Sequence, residues 1–151
     1  MSFNIPIVRT KLVKEYDITF NKNKVFGIEG ADKIFDELIG GSTLEKVAVI
    51  CLDSNNNIIN AAVTNIGTDT TVKIVPSELF RIAILSNAKS IIICHNHPTG
   101  DLKPSQYDIN ITKKIGYVAS ILGIKLIDSL ILGDNGKYLS IRSELNKNGA
   151  L

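Results

Sequence analysis

The segment AKSIIICHNHP, residues 88–98, constrains this chain more than any other, because a fully apolar run leads directly into two histidines. The run is short, bounded by polar residues and rich in isoleucine, which reads as a β-strand. His95 and His97 are the only histidines in the chain. At the end of an extended segment, residues two apart project to the same side, so both imidazoles can converge on one point. Cys94 then faces the other way, and reads together with Cys51 as a buried small hydrophobe of a reduced protein rather than half of a disulfide.

Around this strand the pattern alternates irregularly. Residues 3–20 alternate loosely between apolar and polar and are expected to form one or two edge strands. Residues 30–39 place Ile34, Phe35 and Leu38 on one helical face and stop at Gly40-Gly41. EKVAVICLD then reads as a strand, Asp53-Ser54-Asn55-Asn56-Asn57 as a turn, and IINAAVTNIG as the hairpin partner. Residues 76–87 open with proline at a helix start and offer Leu79, Phe80, Ile82, Ala83 and Leu85 for burial. A second long helix is expected from Ser105 to about Leu122, with Ile109, Ile111, Ile115, Val118 and Ile121 as its apolar stripe. IKLIDSLILGD reads as a strand, Asn135-Gly136 as a hairpin turn, and KYLSIR as the returning strand. The expectation is an α/β (α+β) sandwich with a mixed β-sheet flanked by helices, rather than a doubly wound parallel sheet.

The chain has 151 residues, 44% of them hydrophobic and 21% charged, which suits one domain with its own core. A net charge of +2 is too small to indicate nucleic acid or membrane. Lys103, Lys113 and Lys114 lie near the histidines in sequence but read as solvated helix lysines. No stretch approaches the roughly 20 apolar residues needed to span a bilayer, and no signal-peptide core is visible, so the expected setting is cytoplasmic, with no membrane partner.

Catalytic zinc sites take three protein ligands and keep a fourth position for water. Two imidazoles therefore need a carboxylate beside them, and Asp101 and Asp108 are the nearby candidates. Asp101 lies in a Gly-Asp turn, where its side chain can satisfy local backbone. Asp108 falls three residues after Ser105, which reads equally as a capping box opening the helix. A carboxylate is also favoured electrostatically at a helix N-terminus. The bland alternative is two polar loop histidines with no shared partner.

The string His95-Asn96-His97-Pro98-Thr99-Gly100-Asp101, then Pro104-Ser105, then Asp108, resembles the H-x-H-P-x-G-D…P-S…D signature of the JAB/MPN (JAMM) metalloprotease superfamily, in particular its RadC-type branch. The resemblance extends from about residue 5 to residue 144, through VAVICLDSNNNII, VPSELFRIAILSNAKSIIICHNHP and GIKLIDSLILGDNGKYLSIRSE. It implies the JAB/MPN, cytidine-deaminase-like sandwich and a single domain over residues 1–151, with an N-terminal strand extension over 1–28 and a core over 29–144. It implies Zn2+ held by His95, His97 and Asp108, with Glu45 acting through the bound water and Ser105 assisting the oxyanion. Read alone, Glu45 is an exposed charge at a strand start. Asp101 has no ligand role in the pattern and reads as a loop organiser that orients a histidine from behind. Thr99 departs from the serine common in the branch, and Val75 stands where many relatives carry histidine.

The implied activity is that of a JAMM-type zinc metallopeptidase acting on a peptide or protein-conjugate substrate. The alternative is a DNA-associated protein acting in DNA repair or processing, a label carried by the RadC-type branch. That branch often carries a helix-hairpin-helix segment, for which this chain is expected to have no room. The His-Asn-His string is not the dispersed HNH nuclease pattern, and the H-x-E and P-C-x-x-C of zinc deaminases do not occur. A scaffold role would go with lost ligands, which are all present here. The sequence leaves a homodimer open.

Overall fold

The computed structural model describes residues 1–67 and 73–149. Among these, the chain runs α1 (Ala31–Ile39), β1 (Lys46–Leu52), β2 (Ile58–Ile66), α2 (Pro76–Leu85), β3 (Ser90–Asn96), α3 (Gln106–Ile121), β4 (Lys125–Leu132), β5 (Tyr138–Ser140) and α4 (Ile141–Lys147), with a short 3-10 turn between β4 and β5. The five strands form one mixed sheet in the order β2-β1-β3-β4-β5. Only the β3–β4 pair is parallel, and α3 makes the crossover that a parallel pair requires.

The apolar run forms the middle of this sheet because it is buried on both faces. Ile91 and Ile93 join Val47, Val49 and Cys51 beneath α2 and α3. Ile92 and Cys94 join Ala48, Ile50 and Leu52 against α1. The two cysteines therefore lie on opposite faces of the sheet, buried and unpaired. Truncating a buried isoleucine in such a strand to alanine costs about 2–5 kcal/mol.

Local chemistry sets the boundaries. Asp53 accepts from the backbone N–H groups of Asn55 and Asn57 and from the Asn57 side chain, closing the β1–β2 hairpin. The β4–β5 turn places Asn135 and Gly136 at positive φ, as an Asn-Gly hairpin turn requires. No helix among the described residues is long and apolar enough to cross a membrane.

Three expectations change. Residues 3–20 carry neither helix nor strand, and the first link to the sheet is a single bridge from Lys24 to Asn57. Phe3, Ile5 and Ile7 are exposed, because their alternation meets no neighbouring strand among the described residues. The returning strand KYLSIR stops at Ser140, which caps α4 by accepting from the Ser143 N–H. Ile141 and Leu145 of that helix pack on Ile131, so the folded core runs past residue 144. Finally, Ile121 is exposed, and the buried face of α3 is Asp108, Ile111, Thr112, Ile115 and Ala119.

Candidate metal centre

His95 is the next-to-last residue of β3, and His97 follows directly after the strand. Val47 and Ile131 are the register partners of His95 on the neighbouring strands, and it shares the face of Ile93, two residues before it. It faces the α3 side, where the first turn of that helix carries Asp108. His95 is almost completely buried, whereas the His97 side chain keeps 17% of its surface. Solvent therefore reaches the pair from the His97 side. A narrow cleft of about 130 Å³ adjoins His97, between Gly40–Thr43 and Gly133–Asp134.

The two Nε2 atoms lie 3.0 Å apart. Asp108 approaches both, with Oδ1 at 3.2 Å from His95 Nε2 and Oδ2 at 3.6 Å from His97 Nε2. Glu45 completes the cluster from the start of β1, and one ligand atom each of Glu45, His95 and His97 falls within 4.8 Å of the others. These three residues could hold a metal ion.

The donor set fits a metal. On a tetrahedron with metal–ligand bonds of about 2.0–2.1 Å, neighbouring ligand atoms stand roughly 3.3–3.4 Å apart. The two Nε2 atoms, 3.0 Å apart, and Asp108 Oδ1, 3.2 Å from His95 Nε2, stand close to that edge, while Asp108 reaches His97 with its other oxygen. His97 Nδ1 lies 2.6 Å from the Asp101 carbonyl oxygen, an acceptor only, so the ring donates its Nδ1–H there. A proton held at Nδ1 leaves Nε2 as the nitrogen that would face a metal.

Asp108 and Ser105 form a reciprocal capping box. Ser105 Oγ accepts from the Asp108 N–H at 3.1 Å, and Asp108 Oδ2 accepts from the Ser105 N–H at 2.8 Å. The cap and the approach to the histidines thus share one carboxylate. Burial pushes the Asp108 carboxyl up, but hydrogen bonds from His95 and His97 outweigh it and hold the group well below the usual carboxylate range. The same hydrogen bond to Asp108 raises His97 against the opposing effect of burial.

The sequence-derived candidates fall into place unequally. His95, His97, Asp108 and Glu45 converge. Glu45 is not the exposed strand-start charge it resembles in isolation, being only 8% exposed. Asp101 meets His97 through its backbone carbonyl, while its exposed carboxylate accepts from the Lys103 N–H and shapes the loop. Lys103, Lys113 and Lys114 are all exposed. One residue escapes a reading based on charge and metal chemistry. Asn96, between the histidines, is buried, and its side chain bonds to Lys46, Leu44 and Ser42 around Glu45. A polar residue closing an apolar strand was the available signal, since such a group needs partners.

The RadC-like JAB domain family matches residues 28–147. A UPF0758 protein of Clostridium acetobutylicum is 36% identical over 126 residues, 83% of this chain and 55% of the relative. One from Carboxydothermus hydrogenoformans is 35% identical over 137 residues, 89% of this chain and 60% of the relative. One from Microcystis aeruginosa is 47% identical over 98 residues, 65% of this chain and 40% of the relative. The chain thus spans about half the length of the curated relatives it matches.

Proposed function

This chain belongs to the RadC-like JAB domain family, and from that premise we propose that it is a zinc-dependent hydrolase of the JAMM type, cleaving a peptide or isopeptide bond. The observation that carries the reading is the convergence of both Nε2 atoms and the Asp108 carboxylate, with a second carboxylate, Glu45, at the same centre. Two carboxylates beside one histidine pair permit a division of labour. Asp108, fixed by its capping box and in reach of both rings, serves with His95 and His97 as the third ligand. Glu45 serves as general base.

Zinc, when bound, supplies a Lewis acid and brings the pKa of a coordinated water toward neutrality. Glu45 takes one proton from the attacking water as its oxygen bonds to the scissile carbonyl carbon. It returns that proton to the leaving nitrogen as the C–N bond breaks. General acid–base assistance of this kind contributes roughly 10²–10⁴-fold. Ser105 uses an oxygen lone pair for the cap, which leaves its hydroxyl proton to donate to the oxyanion. His97 is oriented by the Asp101 carbonyl, and the partly open His97 side admits the substrate.

The test is hydrolysis of an internally quenched peptide library by zinc-loaded protein. The expected activity disappears on chelation and in Glu45→Gln. Activity that survives both treatments contradicts the reading.

A further inference from the structure

Asn96, the last residue of β3, separates the two histidines and projects to the opposite face of the sheet, in register with Leu132 of the α1-side cluster. It is 4% exposed. Its Oδ1 accepts from the Lys46 N–H at 2.7 Å. Its Nδ2 donates to the Leu44 carbonyl at 3.1 Å and to the Ser42 carbonyl at 3.4 Å. Rotating the amide by half a turn would set N–H against N–H and oxygen against oxygen, so the chemistry of the partners fixes its orientation.

These bonds bracket Glu45. Backbone on both sides of that residue is held by one side chain, and the Glu45 carbonyl itself accepts from the Gly67 N–H at 2.7 Å. We propose that Asn96 is a positioning residue for Glu45, fixing the entry of β1 so that the Glu45 carboxylate faces the histidine pair. The tripeptide His95-Asn96-His97 thereby does two jobs on two faces of the sheet. Its outer members carry the imidazoles, and its middle member sets the distance from them to the base. The assignment rests on the catalytic reading of Glu45 above. Aspartate could keep the bond to Lys46 but would turn an acceptor toward two carbonyls. Alanine would leave the Lys46 N–H without its partner and the Leu44 carbonyl with the Ser42 hydroxyl alone.

The test compares wild type, Asn96→Ala and Asn96→Asp. In metal-free protein, amide hydrogen exchange at Lys46 is expected to quicken at least about tenfold in Asn96→Ala, with the β3 and β4 core amides unchanged. With zinc loaded, the quenched peptide library should show kcat lowered by about 100-fold. KM and zinc content should stay at wild-type values, since the buried Asn96 side chain bonds to Ser42, Leu44 and Lys46 rather than to a metal-binding side chain. A parallel loss of zinc, a change confined to KM, or an unchanged kcat overturns the proposal. If Asn96→Ala does not fold, Asn96→Asp carries the zinc, KM and kcat comparison with the same expectations. Should wild type itself prove inactive, the hydrolase reading fails. Exchange at Lys46 then decides the positioning role alone, with unchanged protection contradicting it.

Discussion

The Nε2 atoms of His95 and His97 face each other 3.0 Å apart, closer than two imidazole nitrogens sit without a proton or a cation between them. His97 already commits its Nδ1–H to the Asp101 carbonyl, and Asp108 stands against both rings. The arrangement is organised around a shared point rather than around either ring.

Ser105 supports that point through the helix. Ser105→Ala removes the acceptor for the Asp108 N–H and is expected to cost about 1 kcal/mol, typical of a lost N-cap. Urea unfolding should show this as a lower midpoint at constant slope, and Ser105→Thr should restore most of it. An alanine variant as stable as wild type contradicts the cap.

Gly100 supports it through the loop. Its φ of +79° is strained for any residue with a β-carbon, and a β-carbon there would collide with the Asp134 carboxylate. Gly100→Ala is expected to cost more than about 1 kcal/mol and to weaken zinc binding, because Asp101, the next residue, orients His97. Equal zinc affinity in a calorimetric titration would separate this turn from the site.

The same sequence features explain what could be read in advance. The strand around Ile91–Ile93, the Asp53 and Asn135-Gly136 turns and the proline-led α2 all have local causes, and each forms where those causes place it. The tail did not follow, because Ser140 can end a strand or cap a helix, and packing of Ile141 and Leu145 on Ile131 decides between them. Residues 3–20 alternate without joining the sheet, and only Ile18 and Phe20 among them pack on its α1-side core, since alternation reports a half-buried surface but not who covers it. At the centre, spacing alone brought His95 and His97 together. It could not show Glu45 buried beside them, because that depends on Asn96 reaching across to a segment fifty residues away.

Asp128 gives stability a pH signature. Burial raises its carboxyl above the ordinary value, against hydrogen bonds from Ser140 and Ser129. A raised folded-state pKa means that the favourable contribution is complete at low pH and is lost as pH rises through the folded value. Asp128→Asn keeps the acceptor for Ser129 without the charge. Relative to that variant, wild type should therefore lose unfolding free energy as pH rises above the ordinary carboxylate range. A pH-independent difference between the two contradicts this.

The cysteines should be inert in the folded protein. Burial pushes the Cys51 thiol up to about 11 and the Cys94 thiol well above its ordinary value. A thiol reagent at pH 8 is expected to leave both untouched until denaturant is added. Rapid reaction of native protein would place at least one thiol outside the core.

The division of the two carboxylates is the centre of the account, and zinc content measured on three proteins tests it most directly. Wild type is expected to hold about one zinc per chain, Glu45→Gln to retain it, and Asp108→Ala to lose most of it. A metal-free wild type, or zinc lost from Glu45→Gln while Asp108→Ala stays loaded, would contradict it.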